Sequence, residues 1–127
     1  ILKYHKDKLM LLNIFQIKCL HNYIKKLSAT LSELPDFEFP SIALAEMSTS
    51  DDVADVHSSM VKAGDRILDM TAGLGIDALH FAKKGCDVTA IEIDKDAADA
   101  LCNNIRSVKL GNIQVVHGDS VEWLKTT

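Results

Sequence analysis

The chain has 127 residues, of which 47% are apolar, and a formal net charge of −4. This length leaves room for one domain with a packed core. No apolar run approaches the roughly eighteen residues of a membrane span, and the start of the chain lacks the ordered regions of a signal peptide. We therefore expect a soluble, cytoplasmic protein without a membrane partner.

Three cysteines, Cys19, Cys86 and Cys102, are odd in number and show no C-x-x-C spacing. This pattern argues against a disulfide framework and against a zinc site, and it is typical of proteins from a reducing compartment. The sequence therefore predicts no metal.

The charge is unevenly distributed along the chain. Residues 1–30 hold six lysines and one acid, whereas residues 31–127 hold eight basic and seventeen acidic residues. Lysines on a solvated helix face are the ordinary explanation of such a basic arm, and binding of nucleic acid is the alternative. Composition alone leaves an RNA partner open.

The first third of the chain has the pattern of a helix followed by a linker. From about residue 6 to residue 34, apolar side chains recur at three- to five-residue steps, which predicts an amphipathic helix that Pro35 ends. Pro35 and Pro40 then bracket a short segment typical of a linker. We accordingly divide the chain into an N-terminal helical segment and linker, residues 1–40, and a main domain, residues 41–127.

A second helix is predicted after the polar turn Ser48-Thr49-Ser50, whose side chains can cap a helix N-terminus, and Gly64 is expected to end it. Val53, Val56, Met60 and Ala63 recur at helical spacing, so they are expected to line one face of this helix.

Strand and helix patterns then alternate to the end of the chain. Strands are predicted over residues 66–69, 87–93 and 113–116, and helices over residues 77–84, 95–110 and 120–125, the second of which Asp94 is expected to cap. With right-handed crossovers this order gives an α/β fold, a doubly wound parallel sheet of about three strands, preceded by the N-terminal helical segment.

Two glycines follow the first strand. Gly73 to Ala78 satisfy G-x-G-x-x-G/A, so the turn could hold the pyrophosphate of a dinucleotide, and an NAD(P)-binding oxidoreductase stays open. Asp69, at the carboxyl end of the strand, would repel a pyrophosphate and attract an ammonium or sulfonium group. The charge at this turn therefore favours a cationic ligand.

The motif Asp69-Met70-Thr71-Ala72-Gly73-Leu74-Gly75 resembles the first motif of class I S-adenosylmethionine-dependent methyltransferases. Residues 88–94, which end Glu92-Ile93-Asp94, resemble the second strand of that class, and His117-Gly118-Asp119-Ser120 resembles the acidic turn after its third. The resemblance covers roughly residues 41–124 and implies a Rossmann-like domain, S-adenosylmethionine as cofactor and methyl transfer as activity.

The resemblance also implies roles around the glycine turn. Asp69 would accept hydrogen bonds from the ammonium group of the cofactor, and Gly73 and Gly75 would let its methionine portion lie against the backbone. Thr71 and Ala72 would line the same end. Asp77 either caps its helix or approaches the methionine portion, and the turn Ser48-Thr49-Ser50 is a further candidate contact.

The nucleoside end of the cofactor would meet residues that follow the second and third strands. Glu92 lies nineteen residues after Gly73, close to the offset of an acid that binds ribose hydroxyls. Ile93 would lie under the adenine. Asp119 would accept the adenine amine, although a turn with a capping Asp is an alternative, and Ser120 is a weaker candidate.

No catalytic residue is assigned. In related enzymes that modify amino groups or nucleic acids, an Asn/Asp-Pro-Pro-Tyr-like motif after the fourth strand grips the substrate, and this sequence stops before such a motif. We therefore expect the chain to be the N-terminal part of a longer domain, whose missing C-terminal strands would pair with it.

The segment 46–54 resembles RNA methyltransferases such as the trimethylguanosine synthase-like group and enzymes with a THUMP-like domain, which implies RNA as the substrate. A hypothesis of another class is a non-catalytic module, in which the basic helix binds RNA or a partner chain and the sheet is a scaffold.

Overall fold

The structure is a computed structural model, and it describes residues 25–34, 37–38, 41, 47–108 and 112–126. Most of the amphipathic helix predicted over residues 6–34 lies outside these ranges. The helices and strands are α1 (Ser28–Glu33), α2 (Asp51–Ser59), β1 (Arg66–Asp69), α3 (Ile76–Lys83), β2 (Asp87–Glu92), α4 (Lys95–Val108), β3 (Ile113–His117) and α5 (Ser120–Lys125).

The three strands form one parallel sheet in the order β1-β2-β3. In the central strand β2, Val88 lies opposite Ile67 of β1 and Ile113 of β3. Each connection moves to the next strand in the same direction, so right-handed crossovers place α3 and α4 on one face of the sheet. The predicted Rossmann-like α/β arrangement is confirmed.

The core lies between that face of the sheet and the two helices. Val88 and Ala90 on β2, Ala78 on α3 and Leu101 on α4 are all fully buried. Alanines at these contacts let the helix backbones approach the sheet closely, so the start of α3 is held firmly above the end of β1.

Residues before position 41 belong to the same core. Leu27 and Phe37 are each only 1% exposed and pack in the cluster that contains the sheet and α3. Asn104 on α4 adds a polar contact, because its Oδ1 accepts from the backbone N–H of Glu38 at 2.6 Å and its Nδ2 donates to the Glu38 carbonyl at 3.0 Å. The boundary at residue 40 therefore stays a prediction, with one core on both sides of it.

Local side chains cap the helices as the sequence indicates. Ser50 Oγ accepts from the N–H of Val53 at 3.2 Å at the start of α2. Asp94 Oδ1 accepts from the N–H of Ala97 at 2.8 Å at the start of α4. Each cap satisfies a backbone donor that the first turn of a helix leaves unpaired, which fixes where the helix begins.

The apolar face predicted for α2 is exposed, and the helix ends at Ser59, before the predicted stop at Gly64. Val53, Val56 and Met60 are 46%, 55% and 74% exposed, whereas Asp51 and Ala54 are buried. The helix is turned this way because polar contacts, rather than an apolar stripe, hold it against α1 and α3.

Those contacts centre on Asp51. Its carboxylate accepts from the backbone N–H of Thr30 at 3.1 Å and from the Thr30 hydroxyl, and it lies 2.9 Å from His80 Nε2 on α3. His80 Nδ1 lies 2.8 Å from the carboxylate of Asp55. Burial favours the neutral form of Asp51, but the hydrogen bonds from Thr30 and His80 outweigh it and lower the pKa of this carboxyl.

A lowered pKa makes this carboxylate a source of acid sensitivity. Its contribution to the free energy of unfolding is complete above the ordinary aspartate value of 3.8 and is lost as the pH falls through the lower folded-state value. We expect Asp51→Asn to be less stable than the parent near neutral pH and to lose less stability between about pH 5 and about pH 3. Chemical denaturation at several pH values measures this, with Asp52→Asn at the exposed neighbouring position as the control. Equal pH dependence in the parent and Asp51→Asn would contradict it.

Candidate functional site

The carboxyl ends of the three strands meet at one edge of the sheet. Beyond the strands, the N–H of Ala72 donates to the Ile91 carbonyl at 3.0 Å, and the N–H of Gly118 donates to the Glu92 carbonyl at 3.0 Å. These bonds continue the ladder into the turns after β1 and β3. The acidic turns that the sequence predicts at separate strand ends are thereby neighbours in space.

The turn between β1 and α3 has the backbone shape that glycine favours. Gly73 has φ +55° and Gly75 has φ +88°. A Cβ added to Gly75 would lie 2.1 Å from Leu101 Cδ1, whereas a Cβ added to Gly73 would meet no heavy atom within 4 Å. Gly75 is therefore needed for packing against α4, and Gly73 faces open space.

Glu92 fastens this turn to the end of β2. Its Oε1 accepts from the backbone N–H of Gly73 at 2.8 Å, and its Oε2 accepts from the backbone N–H of Asp94 at 2.8 Å. A carboxylate has about four lone-pair sites, so both oxygens can still accept from a ligand hydroxyl.

Two adjoining cavities open above this edge. The larger, of about 440 Å³, is lined by Met47, Ser48, Thr49, Thr71, Ala72, Gly73, Leu74, Gly75, Ile76, Asp77, Glu92 and Asp94. The smaller, of about 240 Å³, is lined by Met70, Thr71, Glu92, Ile93, Gly118, Asp119, Ser120 and Val121. Thr71 and Glu92 line both. We call the larger cavity the turn cleft and the smaller one the strand-end pocket.

The predicted site residues divide between these two cavities. Five residues around the glycine turn line the turn cleft: Thr71, Ala72, Gly73, Gly75 and Asp77. Three residues after β2 and β3 line the strand-end pocket: Ile93, Asp119 and Ser120. Glu92 lies between the two groups. The fold thus brings the predicted residues other than Asp69 to the two cavities at this edge of the sheet.

Asp69 differs from the others because it lines neither cavity and lies half-buried at the end of β1. Its Oδ1 accepts from the backbone N–H of Thr71 at 3.2 Å. Burial raises the pKa of Asp69, and the carboxylates of Asp77 and Glu92 raise it further, against the effect of the Thr71 N–H. Three carboxylates near one turn favour a ligand with positive charge.

Two predicted residues had alternative roles as helix caps. Asp77 is not the N-cap of α3, which is Gly75; it lies in the first turn, where its carboxylate accepts from the Thr49 hydroxyl and contacts His57. Asp119 does cap α5, because its Oδ1 accepts from the N–H of Val121 at 2.9 Å and of Glu122 at 3.1 Å. Both bonds use one oxygen of Asp119, so capping is compatible with a ligand contact.

Sequence reasoning did not single out Met47, Met70 or Asp94 as lining residues. Asp94 was assigned only as a helix cap, and the two methionines carry no local signal for a site. Ser48 and Thr49, which the sequence offers as possible contacts, do line the turn cleft, while Ser50 is used as the cap of α2.

Within the ranges that the structure describes, no helix combines the length and apolar character needed to cross a membrane. The same ranges contain no group of three or more His, Cys, Asp or Glu side chains arranged to hold a metal ion.

Comparison with known proteins agrees with a Rossmann-like methyltransferase domain. A ribosomal RNA small subunit methyltransferase J from Colwellia psychrerythraea is 39% identical over 64 residues, which cover 44% of this chain and 24% of that protein. A tRNA (guanine(37)-N(1))-methyltransferase from Aedes aegypti is 34% identical over 67 residues, which cover 52% of this chain and 12% of that protein. The chain thus spans a quarter or less of the length of these relatives.

Solved structures share the fold. Trm5b from Pyrococcus abyssi superposes with a TM-score of 0.54 and 30% identity, over 68% of this chain and 24% of that one. A protein from Porphyromonas gingivalis W83, proposed to be a methyltransferase, superposes with a TM-score of 0.73 over 87% of this chain and 28% of that one. At 24% sequence identity, this likeness supports a shared fold and nothing about function.

The sequence model of the TRM5/TYW2 methyltransferase domain family matches residues 47–127, which is more than half of the chain. The chain belongs to this family. The resemblance to class I methyltransferases is thereby confirmed, and the family is one of methyltransferases rather than oxidoreductases. The likeness of segment 46–54 to the trimethylguanosine synthase-like group stays a prediction.

The two glycines of the turn should respond differently to a methyl group. Gly75→Ala combines a positive φ with a clash against the buried Leu101, so we expect a loss of about 2–4 kcal/mol in the free energy of unfolding. Gly73→Ala meets open space and should lose only the backbone term of about 1–2 kcal/mol. Urea denaturation of both variants measures the difference, and equal losses would show that Leu101 does not confine this turn.

Proposed function

We propose that the chain is the cofactor-binding part of an S-adenosylmethionine-dependent methyltransferase that acts on RNA. The observation that carries the proposal is the position of Glu92, which holds the glycine turn through Gly73 and lines both cavities at the strand ends. Family membership supports the same activity.

The residues present suit this cofactor by charge and by shape. The open side of Gly73 leaves room for a ligand against the backbone, and the neighbouring carboxylates of Asp69 and Asp77 favour its ammonium and sulfonium groups. Glu92 has acceptor capacity for a vicinal diol. Ile93, which is 65% exposed, and Asp119 would meet the adenine in the strand-end pocket.

When bound, S-adenosylmethionine would supply an electrophilic methyl group: a nucleophile of the substrate would attack the methyl carbon, and the electrons of the broken C–S bond would leave with the sulfur as S-adenosylhomocysteine. For such a reaction the residues of this chain would bind and orient the cofactor. The glycine turn and its acids would contact the methionine end, and Asp119 and Ser120 would contact the adenine end. Alignment of the two reactants is the main source of rate in a displacement of this kind. We assign no catalytic residue.

RNA is proposed as the substrate because both relatives are named for RNA methylation, one of ribosomal RNA and one of tRNA. The lysine-rich residues 1–30 support the same substrate class by charge. The methylated atom is left open.

Location and domain organisation belong to the same proposal. A cytoplasmic location is supported by cysteines without disulfide spacing. A cofactor-binding domain over residues 41–127 is supported by the family match, which begins at residue 47.

Isothermal titration of the chain with S-adenosylmethionine tests the proposal, and Glu92→Gln tests the site. The substituted amide keeps one acceptor oxygen but replaces the other by a donor, so we expect the binding free energy to weaken by about 1–2 kcal/mol. Asp87→Gln, an exposed acid at the opposite end of β2, is the matched control and should bind like the parent. Binding of NAD but not of S-adenosylmethionine, or RNA binding without any cofactor, would contradict the proposed function.

The raised pKa of Asp69 predicts how binding depends on pH. A cationic ligand gains from the ionised carboxylate, so affinity should be full above the raised pKa and should fall as the pH drops through it, in a range above the ordinary aspartate value of 3.8. Asp69→Asn should bind more weakly near neutral pH and should lose this dependence. Titrations across the acidic range, with Asp87→Asn as the control, measure it. An unchanged pH profile in Asp69→Asn would contradict the electrostatic role.

A further inference from the structure

Three side chains from three parts of the chain meet at one wall of the turn cleft. Thr49, before α2, donates its hydroxyl to Asp77 Oδ2 at 2.9 Å, and His57 Nδ1 on α2 lies 2.9 Å from Asp77 Oδ1. An ionised carboxylate only accepts hydrogen bonds, so the hydroxyl and the ring nitrogen are both donors. Asp77 thereby joins the segment 47–50 to α2 through the first turn of α3.

The three residues differ in their relation to the cleft. Thr49 and Asp77 line it, whereas His57 does not and has 45% of its side chain exposed. Each oxygen of Asp77 already accepts one bond from the protein. The carboxylate is thus oriented before any ligand arrives, and His57 supplies half of that orientation.

Apolar packing of Met47 contributes little to the wall of the cleft that residues 47–49 form. Met47 is 82% exposed, so burial of its side chain does not fix the segment 47–49 above the glycine turn. Ser50 fixes only the far end of the segment, through the cap of α2. The hydrogen bond from Thr49 to Asp77 therefore ties the middle of this segment directly to the first turn of α3.

We infer that His57 is a positioning residue of the turn cleft: through Asp77 it fixes Thr49, and with it the wall 47–49, opposite the glycine turn. The inference rests on the proposed function for the identity of the ligand. For the ordering of the wall it rests on the geometry alone.

A plain structural role, in which His57 only holds α2 against α3, is the alternative to exclude. The chain offers controls for it, because a second set of contacts joins the same two helices away from the cleft. His80 lies between the carboxylates of Asp51 and Asp55, and the Lys84 ammonium donates to the Ser58 carbonyl. These residues do not line the turn cleft.

The test uses calorimetric titration of the chain with S-adenosylmethionine, together with thermal unfolding. His57→Phe keeps a ring but removes the donor, and it should weaken binding by about two- to tenfold, the range for one hydrogen bond. His57→Asn, whose amide can place a donor near the position of Nδ1, should recover most of that loss. His80→Phe should lower the melting temperature and leave the affinity within about twofold of the parent. Lys84→Ala replaces it as the control if that variant does not fold.

A double-mutant cycle sharpens the result. Since His57 acts on Thr49 through a shared carboxylate, Thr49→Val and His57→Phe should be non-additive in affinity, the second change costing less in the presence of the first. Unchanged affinity in His57→Phe, or an equal loss in His80→Phe, would overturn the inference.

Hydrogen exchange separates this inference from the proposed function. The amides of residues 48–50 should exchange faster in His57→Phe than in His80→Phe without any ligand. If the parent chain does not bind S-adenosylmethionine, the proposed function fails, and this exchange difference alone decides the role of His57. Equal exchange in the two variants would then overturn it.

Discussion

The site depends on the two backbone hydrogen bonds that the Glu92 carboxylate accepts, from Gly73 and from Asp94. One bond ties the turn after β1 to the end of β2, and the other shapes the chain as it leaves β2 for α4. The direction of α3 follows, because this helix begins within the same turn. A single side chain thus fixes the geometry between two strands and the helices that follow them, while it remains on the surface of the groove.

This arrangement places negative charges close together. Asp69, Asp77 and Glu92 surround one turn, and the raised pKa of Asp69 is the sign of burial and of their mutual repulsion. Hydrogen bonds from Thr71, Thr49 and Gly73 offset part of that cost. A positively charged ligand would offset more of it, so the feature that costs stability in the free protein is the one that favours a cationic occupant.

Local chemistry explains what the sequence predicted well. Ser50 and Asp94 cap their helices, and Gly73 and Gly75 form a tight turn after the first strand, because each effect needs only a few neighbouring residues. The orientation of α2 does not follow from its apolar spacing, since it depends on Asp51 meeting Thr30 and His80, which are 21 and 29 positions away. The spacing of apolar residues does not predict which face of a helix is buried when a buried acidic side chain, here Asp51, makes the contacts. For the same reason, His57 was not recognised as a neighbour of the cleft.

The close approach of Leu101 to Gly75 constrains which residues can occur together at these two positions, which are far apart in the chain. The side chain of Leu101 occupies the space that a Cβ at position 75 would need. Any related sequence with a larger residue at position 75 must therefore carry a shorter one at position 101, turn the leucine side chain to another rotamer, or shift α4 away from the turn. In a set of homologues the two positions should vary as a pair, with glycine retained wherever leucine is present.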